Sequence, residues 1–293
     1  MILIKIQGGL GNQMFQYAFA NVLAEKNKTK VIIDDSIYNI TEKKEGYTPR
    51  KFELSIFDNQ YNFAKEADLL LFDKLSFINR IKKKIGLNYP KIINDSTFEY
   101  SEEVGSVKAP VFATGYFQSF KYFIGFESLI KNFFDFPVEY LSQENLDLIP
   151  ILKKDNAVAI HIRRGDYVTD KITNQFHGSC GFDYYIEAIS HITSKIENPT
   201  LVFFSDDSQW VKENFDSLSF NKIFISHNIG INSWIDLFLM SISSHNIIAN
   251  SSFSWWGAWL NDNPKKIVVA PKTWFQGQQI DINSLIPQEW IKI

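Results

Sequence analysis

An apolar run at residues 2 to 6 (ILIKI) stops at the glycine-rich segment GGLG. Behind it, over residues 12 to 26, Phe15, Ala18 and Val22 recur with Met14 at the spacing of a helix face. A second apolar run, VII at 31 to 33, ends at Asp34 and Asp35. Strand, turn, helix, strand is a βαβ unit, whose parallel strands need a right-handed crossover. From 36 to 110 the pattern weakens: charged stretches, a helix predicted over 65 to 85, and a turn at NYPK, 88 to 91. VFATGY at 111 to 116 predicts a strand. Helices follow over 118 to 132 and 139 to 149, the latter ending near Pro150, where the domain junction is placed.

Beyond Pro150 the alternation becomes regular. Strands are predicted at 157 to 162 (AVAIHI), 201 to 204 (LVFF), 222 to 225 (KIFI), 246 to 249 (NIIA) and 266 to 270 (KIVVA), with helices at 183 to 196, 208 to 215, 233 to 243 and 253 to 261. Strands alternating with helices across short loops mean a doubly wound parallel sheet. The expected architecture is therefore α/β, with a unit at residues 1–150 and another at 151–293, a cleft between them, and the last residues packing back on the first unit.

Composition narrows the function. With 293 residues, 45% of them hydrophobic, and 26 Phe, 12 Tyr and 7 Trp, the chain has apolar material for two cores. A net charge of −3 excludes a polyanion binder that works by bulk positive charge, so no nucleic-acid partner is expected and any bound anion must be held locally. The one cysteine, Cys180, fits a reducing compartment, and MILIKIQGG reads as a strand rather than a secretory leader, so a cytoplasmic location is expected. No apolar run reaches membrane-spanning length.

In open α/β sheets ligands sit beyond the carboxyl ends of the strands. That rule selects GGLGNQ after the first strand, HIRRGD at the end of 157 to 162, SDD after 201 to 204, and NSSFSWWG after 246 to 249. Gly8, Gly9 and Gly11 let a backbone approach a ligand, and the helix behind them offers N–H groups to a phosphate or to sugar hydroxyls; a tight turn without a ligand fits the spacing equally. Met14 stands where a dinucleotide fingerprint needs a third glycine. Of Arg163 and Arg164, which point in roughly opposite directions on a continued strand, one can serve a diphosphate through its planar fork, while an ion pair with Asp166 holds the other. Asp206 can accept a guanine edge or cap the next helix, as can Ser205. Ser251 and Ser252 can cap a helix or hold a phosphate with it. Most of Trp255, Trp256 and Trp259 are expected in the core. No D-x-D, H-E-x-x-H or C-x-x-C occurs, so diphosphate charge falls to arginine and helix dipole, and no metal is expected.

GGLGNQMFQYAFA (8 to 20), HIRRGDYV (161 to 168), FFSDD (203 to 207) and NSSFSWWGAWL (250 to 260), in this order, resemble glycosyltransferase family 11, the alpha-1,2-fucosyltransferases, in a bacterial-type form. The resemblance implies a GT-B type fold, two Rossmann-like domains facing across a cleft, with GDP-fucose held mainly by the C-terminal one. It also implies inverting, metal-independent transfer of L-fucose to the 2-hydroxyl of a terminal galactose. By this resemblance Arg163 binds the β-phosphate, His161 and Asp206 contact guanine or ribose, and Ser251, Ser252 and Phe253 contact the phosphates and adjacent sugar. Gly9, Asn12 and Gln13 close over the fucose from the N-terminal, acceptor-side domain. Asp166 is the candidate base by proximity to Arg163, unless it only orients an arginine. The partners implied are GDP-fucose and a galactose-terminated glycan, with no cofactor. The basic segment KLSFINRIKKKIG at 74 to 86 is a further candidate, for peripheral contact with an anionic membrane or as a solvated helix face. A dinucleotide-dependent oxidoreductase built on the first βαβ and Asp34, or a non-catalytic glycan-binding protein, are the alternatives.

Overall fold

The computed structural model describes residues 1–39, 50–72, 77–95, 97–165, 178–276 and 280–293. They form two compact units, Met1–Asp135 and Phe136–Ile293. The division falls at Asp135, ahead of the expected Pro150, because helix α6 (Gln143–Leu152) packs Leu148 and Leu152 into the second unit. Pro150 sits inside that helix rather than ending it. The carbonyl deprived of its N–H partner is that of Leu146, on an exposed turn where water can serve it.

The first unit is a four-stranded parallel sheet, β1 (Ile2–Lys5), β2 (Val31–Asp34), β3 (Lys91–Asp95) and β4 (Val111–Gly115), in the order β2-β1-β4-β3. The crossover from β1 to β2 is α1 (Leu10–Asn27). Its predicted stripe underestimates its burial. Sheet residues flank one side, and Tyr17 on another packs against Tyr61 and Phe133 at ring separations of 5.4 and 5.5 Å, so the helix is enclosed almost all round. The helix expected over 65 to 85 is α2 (Glu66–Leu70) and α3 (Phe77–Lys84), with residues 73–76 outside the described set. Strand β3 begins at the lysine that closes the expected NYPK turn. Of the helix expected over 118 to 132, a 3-10 turn (Phe120–Tyr122) and α5 (Glu127–Phe133) remain, separated by Gly125 at φ +81°; α4 is Glu102–Gly105.

The second unit is a six-stranded parallel sheet of β5 (Ala157–Ile162), β6 (Thr200–Ser205), β7 (Asn221–Ile225), β8 (His245–Ile247), β9 (Val268–Ala270) and β10 (Ile291–Lys292), in the order β10-β9-β8-β5-β6-β7. Counted from β5, that is the Rossmann order 3-2-1-4-5-6, read from one edge. Helices α7 (Phe182–Thr193), α8 (Ser208–Phe215), α9 (Trp234–Ser241) and α10 (Ser252–Leu260) connect the strands. The central β5 is buried at all six positions, which is why AVAIHI is one apolar run. Trp255 and Trp256 are fully buried, as expected, and Trp255 packs on Trp290 at 5.7 Å. The last residues add β10 beside β9.

Candidate active site

The strand order changes direction between β5 and β8, and a Rossmann sheet binds its ligand at the carboxyl ends of the strands at that point. Here β5 delivers His161 and then Arg163, and its neighbour β6 delivers Asp206 and Asp207. Arg163 Nη1 lies 2.6 Å from Asp206 Oδ2, both side chains about one-quarter exposed. The other oxygen, Asp206 Oδ1, accepts the Arg164 N–H at 2.9 Å, so one carboxylate ties the loop after β5 to the end of β6. Gly165 fits against it closely: a Cβ there would stand 2.5 Å from Asp206 Oδ2.

Both arginines are paired with aspartates that follow β6, in different surroundings. Arg164 Nε donates to Asp207 Oδ2 at 3.1 Å, and its guanidinium lies 4.0 Å from the centre of the Trp210 ring. Asp207 also caps α8 by accepting the Trp210 N–H at 3.2 Å, the role considered for Ser205 or Asp206. Arg164 is thus fixed by Asp207 and Trp210. Asp166 lies outside the described residues.

His161 is 6% exposed, its ring 5.7 Å from that of Phe253, and its Nδ1 is buried with no hydrogen-bond partner among the described residues. Burial pushes its pKa down to about 4; Asp206 opposes the shift and Arg163 adds to it. The ring is therefore neutral near pH 7 and carries a polar atom waiting for a partner. Phe253 belongs to the first turn of α10, where the Ser251 side chain makes no capping bond. Asn250, which begins that motif, braces the site from below: its Nδ2 donates to the carbonyls of Gly178 (3.0 Å) and Trp274 (3.2 Å), and its Oδ1 accepts from Cys180 Sγ at 3.4 Å. The structure thus brings His161, Arg163, Asp206 and Phe253 together, with Ser251 and Ser252 at the helix terminus beside them.

The glycine turn of the first unit is organised differently. Gly8 takes φ +80° and its carbonyl accepts from Gln13 Nε2 (2.9 Å) and the Tyr38 hydroxyl (3.2 Å). Gln13, expected at the sugar, is fully buried: its Nε2 also donates to Lys51 O, and its Oε1 accepts from the Glu53 and Leu54 N–H groups. It braces the loop. The Leu10 N–H at the helix start is taken by Glu53 Oε2 at 2.9 Å, in a carboxyl whose pKa burial raises. A carboxylate of the chain itself therefore occupies the helix terminus that the sequence offered to a phosphate. Asn12 Oδ1 accepts from Gln118 Nε2 at 2.8 Å, and Gly9 has open space where a Cβ would stand. Asp34 accepts the Ser36 N–H in a local turn. Glu53, Gln118 and Trp210 carry no mark in the sequence, because their partners lie tens of residues away and no local spacing points to them.

The family model for glycosyl transferase family 11 matches residues 1–293. The chain belongs to glycosyltransferase family 11. Among curated relatives it is 30% identical to the alpha-1,2-colitosyltransferase of Escherichia coli over 298 aligned residues, 100% of this chain and 99% of that one. It is 34% identical to the O-antigen biosynthesis glycosyltransferase WbnK of Escherichia coli, over 98% and 99% of the two chains. Among solved structures, a mutant of Arabidopsis thaliana FUT1 in complex with GDP aligns with a TM-score of 0.52 at 10% identity, over 98% of this chain and 74% of that one. The family 11 chain is an enzyme of glycosyl transfer with the α/β, GT-B type architecture of two Rossmann-like units, and its four motifs fall at strand ends.

Proposed function

We propose that this glycosyltransferase moves L-fucose from GDP-fucose to the 2-hydroxyl of a terminal β-galactose, with inversion and without a metal ion, during assembly of a surface glycan such as an O-antigen. The observation that carries the reading is Arg163: a guanidinium at the switch point of a Rossmann sheet, paired there with a carboxylate that a diphosphate can replace. The likeness to a 1,2-colitosyltransferase supports the linkage, that to WbnK supports the pathway, and the motif resemblance supports fucose.

In this reading the acceptor oxygen bonds to the anomeric carbon as the bond from that carbon to the β-phosphate oxygen breaks, and its electron pair leaves with GDP. Arg163 meets the charge that grows on the departing phosphate, and metal independence follows from that role together with the lack of a D-x-D. Neutral His161 and released Asp206 bind the nucleoside, while Ser251, Ser252 and Phe253 line the phosphates and sugar. The hydroxyl proton passes to Asp166 or to the departing diphosphate. We assign the acceptor to the first unit, around Gly9 and Asn12, and the enzyme to the cytoplasm.

The test is a thermal-shift comparison of GDP, NAD and free sugars, followed by turnover of GDP-fucose and GDP-colitose in EDTA on lactose, lacto-N-biose, N-acetyllactosamine and galactosyl-N-acetylgalactosamine. A ligand at 100 times its Kd stabilises by about 2.7 kcal/mol. GDP is expected to protect and GDP-fucose to be consumed. Protection by NAD alone, or a strict requirement for Mg²⁺ or Mn²⁺, contradicts the proposal, and faster turnover of GDP-colitose moves the donor sugar.

A further inference from the structure

We propose that the first unit docks on an anionic lipid bilayer through α3 and the groove beside it. Helix α3 reads FINRIKKK, with Arg80, Lys82, Lys83 and Lys84 and no acidic residue. Gly86 at φ +73° ends it, its N–H bonding Lys83 O and the next N–H, of Leu87, bonding Lys82 O, as in a Schellman turn. Lysines in a last turn are favourable to the helix dipole, which accounts for their sign but not for the apolar side chains among them. Ile81 is 43% exposed and Ile85 62%, one turn apart on the same face, and Leu87 is 56% exposed just past the turn. Asn79, on the opposite side of the helix, lines a groove of about 810 Å³. The helix therefore carries its isoleucines away from the groove wall and toward solvent.

The groove on the other side of the helix also presents exposed apolar and basic side chains. Leu71 and Ile92, 42% and 62% exposed, line it together with Lys91 and Lys108, against one acidic side chain, Glu103, among the described residues. Several exposed large apolar side chains in one region of a unit point to an interaction site. Among partners, an anionic bilayer matches this one in both respects: isoleucine and leucine enter the acyl boundary while lysine and arginine stay at headgroup level. A protein partner would need an ordered acidic counterpart for side chains that here point into solvent. The site lies at the amino-terminal end of β3, whereas the glycine turn follows the carboxyl end of β1, so docking leaves that turn uncovered.

The probe is co-sedimentation of the full chain with vesicles of phosphatidylcholine alone and of phosphatidylcholine with 30% phosphatidylglycerol. Wild type is expected to sediment with the anionic vesicles at low salt and to be released by 0.5 M NaCl. Lys82→Ala/Lys83→Ala/Lys84→Ala is expected to partition about 100-fold more weakly, the loss of three lysines attracted to an anionic leaflet. Ile85→Ser, with its charges intact, is expected to weaken binding to the anionic vesicles as well, and circular dichroism confirms that both variants fold. No sedimentation above the neutral-vesicle level, or equal binding by the wild type and either variant, overturns the proposal.

Discussion

Arg163 and Arg164 are adjacent, chemically identical and both paired with an aspartate, yet their surroundings differ and the proposed function gives them opposite tasks. Arg163→Ala removes a pair at 2.6 Å between side chains 25% and 27% exposed. A pair so open to solvent contributes about 0–1 kcal/mol, so the melting temperature is expected to fall by about 3 °C or less. If Arg163 meets the charge on the departing diphosphate, its loss removes about 3–4 kcal/mol of transition-state stabilisation, roughly 10²–10³-fold in kcat. Arg164→Ala reverses the balance: it deletes the Asp207 bond at 3.1 Å and the Trp210 stack at 4.0 Å. Together these are worth about 1–2 kcal/mol, hence a fall in melting temperature of roughly 2–8 °C, with turnover kept within about tenfold. Steady-state turnover of GDP-fucose beside a thermal melt of each variant is the assay. Turnover by Arg163→Ala within tenfold of wild type would refute the reasoning, as would a collapse of activity confined to Arg164→Ala.

Further expectations concern other parts of the chain. Gln13→Ala leaves the Glu53 and Leu54 N–H groups without their acceptor in a buried loop, at a cost of about 1–3 kcal/mol each, and is expected to lower the melting temperature by well over 5 °C. Gly165→Ala places a Cβ 2.5 Å from Asp206 Oδ2 and is expected to raise KM for the donor at least tenfold with a native circular dichroism spectrum. Burial raises the Asp236 pKa from 3.8 to about 7, while Asn228 donates to it at 2.8 Å. Between those values the folded state holds the proton that the unfolded chain has lost, so this group's contribution to stability falls as pH rises from about 4 through 7. Asp236→Asn is therefore expected to melt higher than wild type at pH 8 and to converge with it near pH 4; an unchanged difference across that range refutes the assignment.

The second unit was legible because its central strands are buried on both faces, leaving unbroken apolar runs such as AVAIHI that end at polar loops. Two of the four edge strands, β3 and β10, escaped for the complementary reason. Strand β3 buries no residue fully and leaves Ile92 62% exposed, and β10 is two residues long, so neither leaves a period to read. Strand β9 begins two residues later than the apolar run KIVVA, since Lys266 turns back to cap α10 through the carbonyls of Ala258 and Asn261 at 2.8 and 2.6 Å. At the site, residue type and strand-end position sufficed to place His161, Arg163 and Asp206 together, since they lie at the ends of two adjacent strands. They did not suffice for the glycine turn. Its helix terminus is filled by Glu53, 43 residues from Leu10, and its glutamine is spent on the same loop. A long-range partner of that kind decides whether an N-terminal helix turn is a ligand site or a brace, and it has no signature in spacing.

The central claim, inverting transfer to a galactose 2-hydroxyl, is tested most directly by two-dimensional NMR of the product formed from GDP-fucose and a terminal β-galactoside in EDTA. One new α-linked fucose is expected, with its anomeric proton correlated to galactose carbon 2. A β-linked product, attachment at another carbon, or free fucose as the sole product would contradict it.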